Sequence, residues 1–389
     1  MTGLGWWLVG IPSAVLVYAY LLYPGMLWVV AAIRGSRPAS APPAEWPSVT
    51  VVLPCYNEEG AVARTLEGLL ALEYPRERLH VLVASDASTD RTDAIVQGYA
   101  DRGVELLRLP VRGGKSAAEN AAASRIRGDL VVNTDATTRI LPGSLKALVA
   151  AFQDPRVGVA TGRAVAVGDL DAGMNRGEAG YTGYEMWVRA LETRIGSIVG
   201  ASGCFFGSRR ELYPRDFPPE LSRDFGSCLI ARERGYRAVS VPEAVCLVPL
   251  SSSLRVEVGR KTRTMARGLD TLWHKRRLLN PFRHGAFAWM LFSHKLARWL
   301  FQLTWPLGIV GIVLLAWECP IARGVALGVV ALAGALAVAA YRWPAGRRAP
   351  GLINVAGFAI WANVAGMRAW FRFLTGTRQP IWDPTRRPV

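Results

Sequence analysis

No charged residue occurs before Arg34, and that constrains the chain more than any motif in it. Gly5 to Ile33 is long enough to cross a bilayer, which takes roughly 20 apolar residues. Trp6, Trp7 and Trp28 stand near its ends, as interfacial aromatics do. A cleaved signal peptide is the other use of an apolar N-terminus; it wants a basic leading region and a shorter apolar core, and this stretch has neither. Arg34 and Arg37 follow it, which places its C-terminal end in the cytoplasm. The far end of the chain is apolar as well. Trp299 to Trp317, Gly324 to Tyr341 and Ala349 to Met367 are uncharged runs of spanning or near-spanning length. Ahead of them, Ala286 to Arg298 carries His294, Lys295 and Arg298 and reads as an amphipathic lead-in lying in the interface.

The expectation is therefore a polar domain held between membrane segments. Residues 1–34 form a transmembrane helix, 35–47 a linker rich in Pro, Ala and Ser, and 48–280 the cytoplasmic domain. Residues 281–373 are a membrane region with the interfacial lead-in and about three transmembrane helices, and 374–389 a tail. The chain is 51% hydrophobic yet 20% charged, which agrees with that division. Its net charge of +16 suits an anionic membrane surface or phosphorylated ligands. Neither zinc-finger spacing nor an RNA-recognition signature is present, so no nucleic-acid partner is expected. The five cysteines include no CxxC pair and read as reduced thiols.

Within 48–280, hydrophobic runs alternate with helical patterns. Val49–Leu53, Leu79–Ala84, Val104–Leu109 and Leu130–Asn133 read as buried strands. Ala61 to Leu72, about Arg91 to Asp101, and Ser116 to Ile126 read as the helices between them. This is βαβαβαβ, a doubly wound, Rossmann-like parallel sheet, but no GxGxxG follows the first strand, so an NAD-type site is not supported. Further on, a helix runs to about Phe152, Val157–Val167 is strand-like, and residues 175–197 look helical. The glycines of Ile198 to Gly207 suggest close approach by a ligand. Ser222 can cap a helix with Arg223 and Asp224 in its first turn. A basic helix near Arg255 to Arg277 clusters Arg260, Lys261, Arg263 and Arg267.

Four charged residues thus fall at strand ends or helix starts: Asp86, Lys115, Asp135 and Asp224. Open α/β sheets bind ligands at the C-terminal ends of their strands. Asp135, just past Leu130–Asn133, is placed to hold a hard cation, Mg²⁺ or Mn²⁺, against a diphosphate; capping the next turn is its other reading. Asp86 could likewise cap a turn, Lys115 could be a solvated charge, and Asp224 a favourable first-turn acid. Sugar transfer from a nucleotide-sugar needs a reader of the nucleotide, a metal ligand, a base for the acceptor hydroxyl and cations for the leaving diphosphate.

On these residues the sequence resembles the inverting family 2 glycosyltransferases with a GT-A fold, over roughly residues 48–275. Among them it is similar to the membrane-embedded synthases of cellulose, hyaluronan, chitin oligosaccharides and poly-N-acetylglucosamine. Val51 to Glu58 resembles the opening strand and turn, which implies nucleotide contacts from Pro54, Tyr56, Asn57 and Glu58. Ser85 to Asp90 is similar to the second signature, whose Asp, here Asp86, reads the uracil. Gly114, Lys115 and Asn120 match the segment that approaches the diphosphate, and Thr134 to Thr137 the DxD metal motif. Gly200, Ser202 and Gly203 resemble an acceptor-side glycine loop. Arg223-Asp224 falls where the family has its base, which makes Asp224 the catalytic residue and Arg223 an acceptor-side neighbour. Arg260 and Arg263 stand in the QxxRW region as diphosphate partners.

Three departures accompany the match. Thr137 replaces the second Asp of DxD, Arg223 precedes the base where Glu or Asp is usual, and Thr264 replaces the Trp of QxxRW. The resemblance implies a UDP-sugar-dependent inverting transferase acting on a lipid-linked or glycan acceptor. It implies a multi-pass protein of the bacterial inner membrane with its catalytic domain in the cytoplasm. The loss of the aromatic after Arg263 favours short products over processive polymerisation, which stays open as the alternative. A membrane-anchored nucleotidyltransferase and a non-catalytic nucleotide-sugar sensor are the readings from other classes. Ser293 to Trp299 and the closing Gly376 to Arg387, with Trp382, look like the ends of such bacterial transferases. Arg342, Arg347 and Arg348 agree with a cytoplasmic domain. If Ala349 to Met367 spans, the chain has four membrane helices and an outside C-terminus; if it re-enters, the tail stays inside.

Overall fold

The computed structural model describes residues 2–35, 42–167, 175–249, 254–317, 319–344, 350–378 and 381. Residues 36–41 of the linker, Arg347, Arg348 and the closing stretch with Trp382 lie outside them. The uncharged N-terminus forms α1 (Thr2–Val17), a π-turn at Tyr18–Leu22 and α2 (Tyr23–Arg34), one helical rod over Gly3–Arg34. A helix is what a bilayer demands of a single segment, because it satisfies the backbone groups internally.

The domain then opens with β1 (Val49–Cys55), α3 (Val62–Leu70), β2 (Leu79–Ser85), α4 (Thr92–Gln97), β3 (Val104–Arg108), α5 (Lys115–Ala122) and β4 (Leu130–Thr134). β1 pairs in parallel with β2 and β4, and β2 with β3. Alternate side chains of these strands bury on opposite faces. Val51, Leu53 and Val81 pack with Val62, Leu66 and Leu69 of α3, while Val52, Leu82 and Val131 pack with Ala118 and Ala122 of α5. Both faces are covered, which is why the strands read as unbroken apolar runs.

Beyond β4 the parallel pattern breaks. β5 (Arg139–Ile140), α6 (Ser144–Ala150), β6 (Val157–Val167), α7 (Asn175–Ile195), β7 (Phe205–Arg209), α8 (Arg223–Glu233) and β8 (Arg237–Pro249) complete an eight-stranded sheet. Its order is β3-β2-β1-β4-β7-β6-β8-β5. β7 runs antiparallel to β4 and to β6, so the doubly wound run is confined to the first four strands, and a second parallel pair, β6 with β8, lies beyond the reversal. The reversal positions the site. Because β7 starts opposite the C-terminal end of β4, with Phe205 paired to Thr134, the glycine loop before β7 reaches the edge where Asp135 lies.

The remainder is helical: α9 (Leu254–His274), α10 (Pro281–His284), α11 (Ala286–Leu291), α12 (Arg298–Ala316), α13 (Pro320–Arg342) and α14 (Gly351–Leu374). A π-turn at Phe292–Ala297 joins α11 to α12 into one helix, Ala286–Ala316. With the N-terminal rod, α13 and α14, the described residues hold four helices long and apolar enough to cross a membrane. α1 and α12 cross closely on small residues: a Cβ on Gly311 would come within 2.8 Å of Leu8 Cβ and 2.9 Å of the Gly5 carbonyl oxygen. The stretch expected to lie in the interface is continuous with α12. His294 and Arg298, only 2% and 4% exposed, turn inward to α7.

Candidate active site

At the C-terminal ends of β1 and β2 the main chain leaves the sheet in two braced turns. Asn57 and Ala87 each take a positive φ, 53° and 57°, a conformation non-glycine residues seldom adopt. The Asn57 Oδ1 accepts from the Thr89 amide at 2.8 Å, and Asn57 Nδ2 donates to Thr89 Oγ1 at 3.1 Å. The Glu58 amide donates to Thr92 Oγ1 at 2.8 Å, and the Glu58 carbonyl caps the start of α3. Asn57 therefore locks one turn to the next and is exposed outside the cleft wall, whereas Pro54, Tyr56 and Glu58 line the cleft. The Arg112 guanidinium stacks 3.8 Å above the Tyr56 ring.

Asp86 follows β2 and is 3% exposed. Its carboxylate accepts the Gly113 amide on one oxygen and the Gly114 amide on the other, both at 2.7 Å. Gly114 takes φ +86°, a position that favours glycine, and the next residue, Lys115, opens α5. Asp86 thereby fixes the loop that aims Lys115. The Lys115 ammonium donates to Asp135 Oδ1 at 2.5 Å. Burial alone would lower the Lys115 pKa, but the carboxylates of Asp135, Glu119 and Asp224 outweigh it and raise the value above the usual lysine range. Lys115 is thus a fixed positive charge.

The donor set at Asp135 is spare. Among the described residues no three His, Cys, Asp or Glu side chains converge to hold a metal ion. Thr137 lines the cleft where a second carboxylate would stand. Mg²⁺ is commonly held by one or two carboxylates together with substrate phosphates, so Asp135 fits the role of single protein ligand to a cation shared with a diphosphate.

Across the cleft, Asp224 sits in the first turn of α8. Its Oδ1 accepts from the Ser222 hydroxyl and from the Phe225 amide, the latter at 2.9 Å. Its Oδ2 looks over Gly203, where a Cβ would come within 2.9 Å. Gly203 is the residue that leaves this oxygen accessible. Ser202 lines the same wall, its amide donating to Thr161 Oγ1 at 2.9 Å. Gly200 lies behind it, against Lys295 and Phe225. Arg223 borders the cleft, yet its guanidinium is spent beneath it. It pairs with Glu119 at 3.0 Å, bonds Asn120 Oδ1 and the Pro214 carbonyl, and lies over the Tyr213 and Phe217 rings. That buried pair, both side chains at most 3% exposed, ties α8 to α5.

The basic helix α9 closes the top. Arg263 and Thr264 line the cleft, and Arg260 bonds Glu257 at 2.6 and 2.8 Å. Arg267 bonds Ser116 Oγ and the Pro219 and Leu221 carbonyls, and its burial lowers its pKa. Asp86, Lys115, Asp135, Asp224, Arg260 and Arg263 thus share one cleft of about 750 Å³. Sequence reasoning missed its membrane end. Glu185 and Arg189 of α7 and Lys295 also line it. The one signal was the set of charged residues at 294–298 inside an apolar run, and intramembrane charges mark functional sites by default.

Comparison with known proteins bears on the family and the fold. Residues 50–217 match the model of the glycosyl transferase family 2. An N-acetylglucosaminyltransferase of Rhizobium sp. (strain N33) is 29% identical over 62% of this chain and 59% of its own length. One of Mesorhizobium japonicum is 32% identical over 57% of this chain and 55% of its own. The chain thus spans less than two thirds of these two relatives. A shorter N-acetylglucosaminyltransferase of Rhizobium leguminosarum bv. trifolii is 37% identical over 33% of this chain and 74% of its own. A mannosyltransferase of Pyrobaculum calidifontis, solved with GDP-Man and Mn²⁺, shares the fold at a TM-score of 0.69 and 23% identity, over 94% of this chain and 99% of that one.

Proposed function

The chain belongs to glycosyltransferase family 2, and from that premise we propose that it moves a sugar from a UDP-sugar to an acceptor hydroxyl, inverting the anomeric carbon. The observation that carries this reading is the convergence of Asp86, Lys115, Asp135 and Asp224 on one cleft from four separate elements. Pro54, Tyr56 and Asp86 form the nucleotide end, and a carboxylate with both oxygens already oriented by amides still has lone pairs to offer a uracil N–H. A divalent cation held by Asp135 and the diphosphate would add positive charge at the leaving group. Lys115, kept charged by three carboxylates, and the α9 arginines Arg260 and Arg263 balance the rest. Asp224 is the base: its Oδ1 is anchored, and its Oδ2 faces the space over Gly203 from which an acceptor hydroxyl attacks.

Thr264 stands on the cleft wall where processive synthases have an aromatic, so the product is short. The protein lies in a bacterial inner membrane with residues 48–280 on the cytoplasmic face, where nucleotide-sugars are made, and Arg34, Arg37 and Arg342 agree with that orientation. The test is release of UDP from a panel of UDP-sugars by the full chain in lipid, with products followed by mass spectrometry. UDP release that depends on acceptor is expected. Release of diphosphate would make the protein a nucleotidyltransferase, and no release with any donor would make it a sensor.

A further inference from the structure

Two cations at the membrane end of the cleft have no task in the chemistry above. Arg189, on α7, is 7% exposed and lines the cleft. Its only ion pair among the described residues is a long one, 3.5 Å from Nη2 to Glu185 Oε1. Its Nε and Nη1 are buried with no hydrogen-bond partner among those residues. Burying a guanidinium with donors unmet is costly, and the usual remedy is an anion. Lys295 extends over the glycine loop. Its Nζ lies 5.7 Å from the centre of the Phe225 ring and would stand 3.5 Å from a methyl placed on Gly200. It reaches Glu185 only at 3.8 Å, and that carboxylate already serves His294 and Arg298 at 2.8 Å each. Both cations line the cleft that Asp224 lines, and Lys295 lies against Gly200 of the glycine loop.

From here the cleft runs on between membrane helices. Leu16 of α1, Phe301 of α12, and Phe358, Ala359 and Ala362 of α14 line that outer part, and Leu16 is 40% exposed. An apolar lip on spanning helices, leading to a cationic seat beside a base, fits an amphipathic molecule with an anionic head.

We propose that the acceptor is a phosphate-bearing lipid, its phosphate seated on Arg189 and Lys295, its hydrocarbon leaving between α1, α12 and α14, and its reacting oxygen facing Asp224. This rests on the glycosyl-transfer reading and deepens it. The acceptor oxygen bonds the anomeric carbon as the bond from that carbon to the diphosphate oxygen breaks, and UDP departs with the bonding pair. A hydroxyl acceptor gives its proton to Asp224; a phosphate oxygen has none to give.

The experiment uses the full chain in phosphatidylcholine nanodiscs with labelled UDP-sugar. Separate arms add phosphatidylglycerol or phosphatidylinositol, a polyprenyl phosphate, a neutral glycolipid, or a soluble N-acetylglucosamine oligosaccharide. Label is expected in the organic phase in an anionic-lipid arm. The first pair supports the seat with a hydroxyl reacting, and polyprenyl phosphate supports it with the phosphate oxygen reacting. Arg189→Gln and Lys295→Gln should each raise the KM for that lipid about tenfold or more, as loss of a charge-assisted hydrogen bond does, with the donor KM unchanged and partial recovery in Arg189→Lys. Label confined to the neutral glycolipid or the oligosaccharide overturns the proposal while leaving glycosyl transfer standing. Absence of UDP release in every arm removes both. Equal rises in lipid and donor KM would show a merely structural role and overturn the seat.

Discussion

At the nucleotide end of the cleft the buried Asp86 carboxylate is held by main-chain amides; at the membrane end the buried carboxylates are held by other side chains. Asp86 takes its two bonds from Gly113 and Gly114, and Asp224 one of its own from Phe225. Glu185 and Glu192, by contrast, are fixed by His294, Arg298 and Tyr23, which come from two different membrane helices. His294 bridges the two carboxylates at 2.6 and 2.8 Å, and Tyr23 donates to Glu192 at 2.6 Å. An amide cannot be deleted by a side-chain substitution, so the donor end tolerates change around it. The membrane end is a mutual network in a low-dielectric site and should fail as a unit.

The largest effect should come from Asp224, the proposed base. Asp224→Asn keeps an oxygen for the Phe225 amide but removes the proposed base, so turnover should fall roughly 10²- to 10⁴-fold. Donor affinity, measured by titration calorimetry, should stay near that of the unaltered protein. Turnover within a few-fold of the original would remove Asp224 from the mechanism, and a parallel loss of donor binding would mean that Asp224 holds the donor rather than acting on the acceptor.

Next is His294→Leu, which leaves two buried carboxylates without their bridge. Removing one partner of a buried pair costs about 3–5 kcal/mol, read as a drop in the thermal midpoint in detergent. Donor affinity should change little. The network also carries a pH signature. Burial would raise the Glu185 pKa, but His294, Lys295 and Arg298 hold it well below the ordinary 4.5. Its stabilising contribution is therefore fully present above the unfolded value and is lost as pH falls through the depressed folded one. The acid side of the stability profile should be steep below pH 4.5 and flatter in the His294→Leu variant; identical acid limbs would show that Glu185 is not held by this network.

These two ends also differ in how legible they were. The four parallel strands and Asp86, Lys115, Asp135 and Asp224 could be read from the sequence, because hydrophobic runs mark strands and loop charges after them sit at a sheet's functional edge. The antiparallel β7 could not, since its pairing depends on where α7 sends the chain. Arg223 was expected on the acceptor side because it adjoins Asp224, but neighbours at the start of a helix point in different directions, and it goes down to Glu119. Asn57 was expected to touch the donor and instead braces Thr89. Arg189 carried no local pattern at all: only the packing of α7 against α2 and the Phe292–Ala297 turn gives it a role.

A milder perturbation tests the donor end by its own rule. Asp86→Asn retains one carbonyl oxygen for two amides and turns an NH₂ toward the other. Losing one charge-assisted bond of about 1.5–3 kcal/mol should loosen the Gly113–Lys115 loop and weaken UDP binding about 10- to 100-fold, by calorimetry. The thermal midpoint should fall less than in His294→Leu. A larger fall in stability than in affinity would mean Asp86 is a fold residue first, and the contrast between the two ends would dissolve.

The smallest effect is expected from adding a second carboxylate beside Asp135, the proposed metal ligand. Thr137→Asp places a second acid on the cleft wall beside Asp135, within the field of the same Lys115 ammonium. If a cation is shared between Asp135 and the diphosphate, a second oxygen ligand should tighten it, because ligand charge count tunes affinity at such sites. The concentration of Mn²⁺ or Mg²⁺ giving half-maximal turnover should then fall several-fold, with the maximal rate nearly unchanged. If the unaltered protein keeps full turnover in excess EDTA, no metal is shared there. Lys115 and the α9 arginines then carry the diphosphate charge alone, and the added aspartate should slow turnover by repelling it.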